Sequence, residues 1–175
     1  MEHLHVGWDE YHRLIERLAV KVHESGWQFD EILCLARGGL RVGDVLSRIF
    51  GKPLGVIFTS SYRENAGTTQ GTLLIAESIS AARPMRGPRV LVADDLVDTG
   101  GTYTKLLPEL ARRYPQFEEM RTAVLWLKGA SHYQPDYHVE FLGASPWIHQ
   151  PFEVYDDTGP AQLAAQLARA GDRQD

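Results

Sequence analysis

The run Val90-Leu91-Val92-Ala93-Asp94-Asp95-Leu96-Val97-Asp98-Thr99-Gly100-Gly101-Thr102 constrains this chain more than any other stretch. It opens as an apolar strand, breaks into two adjacent carboxylates and then a third, and ends in a small-residue turn that starts a helix. A strand feeding a loop and then a helix is the unit of an open α/β fold, whose ligands lie at the carboxyl ends of the strands. The acids at 94 and 95 stand at that edge. Thr99 to Thr102 supply backbone N–H groups, hydroxyls and closely approachable glycines, which suit a phosphate at a helix N-terminus. Paired carboxylates beside a phosphate cradle point to a phosphorylated sugar whose hydroxyls the acids hold, with a divalent cation.

The rest of the chain supports an α/β class. Ile32 to Ala36 is a continuous apolar run, read as a buried parallel strand. Strands are predicted at 54–60, 89–95, 121–128 and 137–142, with a weaker one or part of a hairpin at 72–78. Trp8, Tyr11, Ile15, Leu18 and Val22 recur at helical spacing, and Gly26 suits the end of that helix. Further helices are predicted from about 40 to 50, after the acidic motif to about Tyr114, and over 160–170. Residues 61–71 read as a polar mobile loop. Alternation of strand and helix argues for a mostly parallel twisted sheet flanked by helices. Pro108 conflicts with its helix, because it removes a backbone bond and clashes with the preceding turn. A kink or a restart near Pro108 is expected.

Composition narrows the partners. The 175 residues suit one domain with a substantial core. A net charge of -5 does not indicate a general nucleic-acid-binding surface. No apolar run approaches the roughly 20 residues of a membrane span, and the first residues lack the regions of a signal peptide. Cys34 is the only cysteine; it reads as a small core residue, and its isolation fits a reducing, cytoplasmic setting. The histidines at 3, 5, 12, 23, 132 and 138 show no ligand spacing and read as structural or surface residues.

A second loop, Ala36-Arg37-Gly38-Gly39-Leu40, lies one strand–helix unit ahead of the acidic motif. Its amides can face an anion, and Arg37 adds a cation suited to diphosphate oxygens. No G-x-x-x-x-G-K-[ST] or G-x-G-x-x-G is present, so kinase and dinucleotide readings lose their support. The absence of H-E-x-x-H and paired C-x-x-C makes a dedicated zinc site unexpected. Downstream, Trp126-Leu127-Lys128-Gly129 ends a strand with a lysine, and Trp147-Ile148-His149-Gln150 follows.

In this order the three segments resemble the type I phosphoribosyltransferases, in a form similar to bacterial xanthine-guanine and hypoxanthine enzymes, over roughly residues 8 to 156. The resemblance implies one domain over 1–175. Its core would span about 28–128. A small hood and base-recognition region would span 129–156 with the N-terminal segment, and a C-terminal helix 160–170. It implies purine salvage: transfer of the 5-phosphoribosyl group of 5-phosphoribosyl 1-diphosphate (PRPP) to N9 of guanine, xanthine or hypoxanthine, with Mg²⁺. Thr99, Gly100, Gly101 and Thr102 would bind the 5′-phosphate. Asp94 and Asp95 would hold the ribose hydroxyls and, directly or indirectly, the metal. Arg37 and Gly38 would hold pyrophosphate, in a loop that often carries a cis peptide in the family. Asp98 would be the base or proton acceptor at purine N7. Lys128 would meet the 6-oxo group, Trp147 would stack on the base, and the backbone of Ile148 would read its edge. Ser61, Tyr62 and Arg63 would open the hood loop.

The chain departs from the family pattern at Thr68 to Gln70, where relatives carry a Lys or Arg, and at His149, where xanthine-guanine enzymes carry an acid. The Thr68 to Gln70 departure, with Pro108, leaves room for a PRPP-binding regulator with an RNA or protein partner. The departure at His149 bears on base preference, and the same chemistry on another acceptor base is the nearer alternative. A dimer or tetramer is the assembly that the resemblance implies.

Overall fold

The computed structural model describes residues 2–61 and 73–171. In chain order the elements are β1 (His3–His5), α1 (Trp8–Glu24), β2 (Glu31–Ala36), α2 (Leu40–Phe50), β3 (Leu54–Ser61), β4 (Leu73–Ile75), β5 (Ser80–Ala81), β6 (Arg89–Ala93) and β7 (Leu96–Val97). Then come α3 (Gly101–Arg113), β8 (Glu119–Lys128), β9 (Tyr137–Leu142), β10 (Trp147–His149), a 3-10 turn (Glu153–Asp156) and α4 (Pro160–Gly171). Two compact units emerge, Arg13–Ser145 and Met1–His12 with Pro146–Asp175. No helix of the described residues is long and apolar enough to cross a membrane.

The larger unit holds an eight-stranded sheet in the order β4-β3-β2-β6-β8-β7, with β5 on β3 and β9 on β8. The pairings among β3, β2, β6 and β8, and those of β7 and β9 with β8, are parallel. Only β4 and β5 run antiparallel, both against β3. The α/β reading with a mostly parallel sheet therefore holds. The central strands are apolar on both faces because both faces are covered. On one face Leu33, Leu35, Val90, Val92 and Val124 cluster with Tyr103, Leu106 and Leu110 of α3. On the other, Cys34 lies under Gly43 of α2, so close that a Cβ at 43 would sit 2.4 Å from the Cys34 Cβ. Each fully buried aliphatic side chain contributes about 1.5–3 kcal/mol.

Several elements differ from the sequence reading. The stripe of α1 is buried from Tyr11 onward, whereas Trp8 is exposed. Strand β6 stops at Ala93, two residues early. Its line along β8 continues through Asp94 N to Ala123 O (3.1 Å) and Leu125 N to Asp95 O (2.9 Å), then resumes as β7. Of the strand or hairpin arm expected over 72–78, only β4 (Leu73–Ile75) forms, antiparallel to β3; the two-residue β5 lies beyond it. Helix α3 runs through Pro108 without a restart. Tyr103, Leu106 and Leu110 are all buried in the core cluster, and this packing outweighs the one backbone bond that proline removes.

In the smaller unit β1 and β10 pair in parallel, with His3 opposite Trp147, Leu4 opposite Ile148 and His5 opposite His149.

Candidate active site

Strand order creates the site. From β2 the chain crosses through α2 to β3 on one side; from β6 it crosses through α3 to β8 on the other. β2 and β6 are neighbours, with Cys34 opposite Ala93. The loops that leave them diverge, which opens a crevice at this switch point. The Arg37-Gly38-Gly39 loop and the Asp94-Asp95 loop meet there. A Cβ on Gly38 would lie 2.6–2.7 Å from the Asp95 carboxylate, and one on Gly39 would lie 2.7 Å from the carbonyls of Leu35 and Ala93. Only residues without a side chain let the two loops approach this closely. The Ala36–Arg37 peptide is cis. Arg37 is exposed, at a separate cavity of about 420 Å³ bordered by Phe58 and Leu74.

The run from Asp94 to Tyr103 lines a cavity of about 150 Å³. Gly100 caps α3 with φ +87° and no side-chain cap. The first amides of a helix have no intrahelical acceptor; Gly101 N makes only a long contact, 3.5 Å, to Thr99 Oγ1, so an anion can compete for this end of the helix. The loop is braced from behind: His132 N donates to Thr99 O at 3.1 Å. A Cβ on Gly100 would lie 2.4 Å from Tyr133 Cβ. Thr99, Gly100, Gly101 and Thr102 are thus gathered on one cavity with Asp94, Asp95 and Asp98.

The acidic pair is electrostatically tense. Asp95 N donates to Asp94 Oδ1 (2.9 Å), and Leu96 N donates to Asp95 Oδ1 (2.8 Å). The residue Asp94 keeps some accessible surface, but its carboxyl is packed among protein atoms. Burial first, and the neighbouring Asp95 charge second, push its pKa well above the usual carboxylate value. No group of three or more His, Cys, Asp or Glu side chains among the described residues is arranged to hold a metal ion. Two carboxylates still fit a Mg²⁺ whose remaining positions are filled by substrate oxygens and water, as is usual for that ion.

Lys128 ends β8 at the same sheet edge. Its side chain is 9% exposed, and its Nζ lies 3.3 Å from Oδ1 of Asp98, which is 55% exposed. One donor and one acceptor are thereby presented side by side. Sequence reading placed both residues in the site but not in contact. Trp147 and Ile148 belong to the smaller unit: Trp147 is 45% exposed on a cavity of about 750 Å³, and Ile148 is buried. His3 and His5 flank His149, whose ring stacks on theirs at 5.1 and 4.3 Å. That cluster was not apparent from spacing. Ser61 ends β3, while Tyr62 and Arg63, with Thr68 to Gln70, lie outside the described residues.

Three comparisons bear on this geometry. The family model described as phosphoribosyl transferase domain matches residues 7–157. The xanthine-guanine phosphoribosyltransferase of Idiomarina loihiensis is 28% identical over 151 residues, 86% of either chain. The crystal structure of a purine phosphoribosyltransferase from Pyrococcus horikoshii Ot3 is 30% identical, with a TM-score of 0.71 over 87% of this chain and 94% of that one. The fold is shared also with the Helicobacter pylori xanthine-guanine-hypoxanthine phosphoribosyltransferase, at 21% identity and a TM-score of 0.72, over 89% of this chain and 97% of that one.

Proposed function

This chain belongs to the phosphoribosyl transferase domain family, and from that premise we propose that it is a purine salvage enzyme. It moves the 5-phosphoribosyl group of PRPP to N9 of a 6-oxopurine (guanine, xanthine or hypoxanthine) and releases pyrophosphate. The observation that carries the reading is the meeting of two loops at the β2/β6 switch point. One brings paired carboxylates and an unprotected helix N-terminus; the other brings Arg37 and two glycines.

The amides and hydroxyls of Thr99, Gly100, Gly101 and Thr102 bind the 5′-phosphate. Asp94 and Asp95 accept hydrogen bonds from the ribose hydroxyls. Arg37 and the Gly38 backbone hold the pyrophosphate oxygens, the cation forking across two of them. Asp94 and Asp95 are also the residues that would hold Mg²⁺ with the substrate; the ion's contribution is to neutralise charge on the diphosphate. In the transfer the C1′–O bond to pyrophosphate breaks and the N9–C1′ bond forms. Asp98 accepts the hydrogen bond or proton at purine N7.

The Lys128–Asp98 pair supports the 6-oxopurine class. Its donor and acceptor stand side by side, as do O6 and N7 on the edge of such a base. Adenine offers a donor at position 6 and would face the ammonium with the wrong polarity. In the smaller unit, the family resemblance assigns Trp147 to stack on a base and the Ile148 backbone to read its edge. We place the enzyme in the cytoplasm as a homodimer or tetramer, with no nucleic-acid partner.

Pyrophosphate release with PRPP and Mg²⁺, run in parallel on guanine, xanthine, hypoxanthine, adenine and uracil, tests the reading. Turnover with 6-oxopurines alone is expected. Turnover confined to adenine or uracil would move the assignment to another base, and PRPP binding without turnover would move it to a regulator.

A further inference from the structure

Two phenol rings stack behind the phosphate loop. Tyr103 and Tyr133 lie 4.9 Å apart, 5° from parallel. The Tyr133 hydroxyl is accounted for, 3.0 Å from Thr122 Oγ1, which also donates to Asp136. The Tyr103 hydroxyl is not. The residue is 1% exposed, and its Oη has no hydrogen-bond partner among the described residues. Such a group opposes folding. Phenylalanine in its place would keep the stack and avoid that cost, so the oxygen calls for an explanation outside the free fold.

Its surroundings supply one. Tyr103 lines the 150 Å³ cavity together with Asp94, Asp95 and the phosphate loop. Burial, and after it the charges of Asp94 and Asp95, hold the phenol's pKa well above its usual value, so it is a donor at neutral pH. Asp94 Oδ1 accepts from Asp95 N and Asp95 Oδ1 accepts from Leu96 N. The Asp94 carboxyl is further hydrogen-bonded to the Asp95 side chain and the Gly39 amide, so a hydroxyl reaching the pair meets it only as those contacts rearrange.

We propose that Tyr103 is a positioning residue of the phosphoribosyl site: its hydroxyl donates to the Asp94–Asp95 carboxylate pair when that pair takes up the ribose hydroxyls. The pair is then oriented for ligand, and a donor that goes unused in the free protein is used in the bound one. This rests on the phosphoribosyltransferase reading.

Tyr103→Phe tests it, with Tyr133→Phe as the control for a hydroxyl already partnered. Melting temperature without ligand, and the Kd values for PRPP with Mg²⁺, ribose 5-phosphate and pyrophosphate, separate the cases. For Tyr103→Phe the free protein should melt at or above the wild-type temperature. Its Kd for PRPP and for ribose 5-phosphate should rise about tenfold, the scale of one hydrogen bond to a charged group. Its Kd for pyrophosphate should not change. Tyr133→Phe should melt lower and bind all three as wild type does. PRPP affinity of Tyr103→Phe within twofold of wild type would overturn the proposal. So would a lower melting temperature without ligand, or an equal loss toward pyrophosphate. Wild-type protein that binds neither PRPP nor ribose 5-phosphate would overturn the functional reading itself, and this role with it.

Discussion

Replacing Gly38 by alanine should separate activity from folding. Gly38 does not have a positive φ, so its backbone accepts alanine; the conflict is with what the new methyl group meets. Its Cβ would lie 2.6 Å from Asp95 Oδ2 and 2.7 Å from both Cγ and Oδ1. Ordinary contact begins at 3.4 Å, so the carboxylate must retreat from 2.6 to 3.4 Å, about 0.8 Å. Asp95 is short and can turn, but turning stretches the hydrogen bond that its Oδ1 accepts from Leu96 N at 2.8 Å. Loss of a hydrogen bond to a charged group costs about 1.5–3 kcal/mol, felt as roughly 2–4 °C in Tm for each kcal/mol at this chain length. The protein survives that. The site does not, because a displacement near 1 Å at a group that grips substrate costs on the order of 10²-fold in kcat/KM. Gly39→Ala is the counterpart. Its Cβ would strike the Leu35 and Ala93 carbonyls at 2.7 Å and Asp94 Cα at 2.8 Å, all backbone, so β2 and β6 would have to part. That variant should lose more than about 4 kcal/mol and fail to accumulate as folded protein. Circular dichroism melts with pyrophosphate-release kinetics on both variants decide the matter. A Gly38→Ala enzyme with wild-type kcat/KM, or a Gly39→Ala protein of wild-type stability, would refute the reasoning.

Asp98→Ala should cut turnover about 10²- to 10⁴-fold with a smaller effect on PRPP Kd; retained turnover in steady-state assays removes its role. Asp94→Asn should stabilise the free protein while abolishing PRPP binding. The folded pKa of Asp94 is raised, so its contribution to stability is fully present below its ordinary value of 3.8 and is lost as pH rises through the folded value. The gain should therefore show in melts at pH 7 and vanish below about pH 4; a variant less stable than wild type at pH 7 would contradict it. Cys34 should be silent to thiol reagents in the native state, since burial above all pushes its pKa up to about 12. One equivalent should react only in denaturant, and prompt labelling of native protein at pH 8 would show that β2 is not enclosed.

The parts of the site legible in the sequence are those made by consecutive residues. Each loop is a strand, a turn and a helix start within about a dozen positions, so apolar runs, glycines and acids signal it locally. What joins the loops is the adjacency of β2 and β6, and no periodicity in either segment encodes that. The contact of Gly38 with Asp95 follows from that adjacency. The Lys128–Asp98 pair follows from β7 lying along β8, and the Tyr103–Tyr133 stack from α3 meeting the segment after β8; none of these was legible in the sequence. The β1–β10 ladder was illegible for another reason: three residues on each side are too few to show alternation, and His3 and Trp147 stand far apart in the chain. Strand β7, at two residues, left no run to read. No restart occurs at Pro108, because α3 is held down by Tyr103, Leu106 and Leu110, which a rule for an isolated helix does not weigh.

The costly features of the larger unit converge on the cavity after β6. The Asp94 carboxyl is desolvated beside another carboxylate, and the Tyr103 hydroxyl is buried without a hydrogen-bond partner among the described residues. Both oppose folding of the free chain, and a sequence selected for stability alone would replace them with Asn and Phe. Local rules broken together at one place, on a scaffold that obeys them elsewhere, mark a site whose compensation arrives with a ligand. The compensation implied here is specific. Hydroxyl donors or a cation would relieve the two acids, an anion would take the helix amides, and a reoriented carboxylate would accept the Tyr103 hydrogen bond. A molecule with vicinal hydroxyls and a phosphate meets all three demands at once, so it should stabilise the protein by more than phosphate and a free diol added together. Purine alone, which meets none of them, should leave the melting temperature of the free protein where it is.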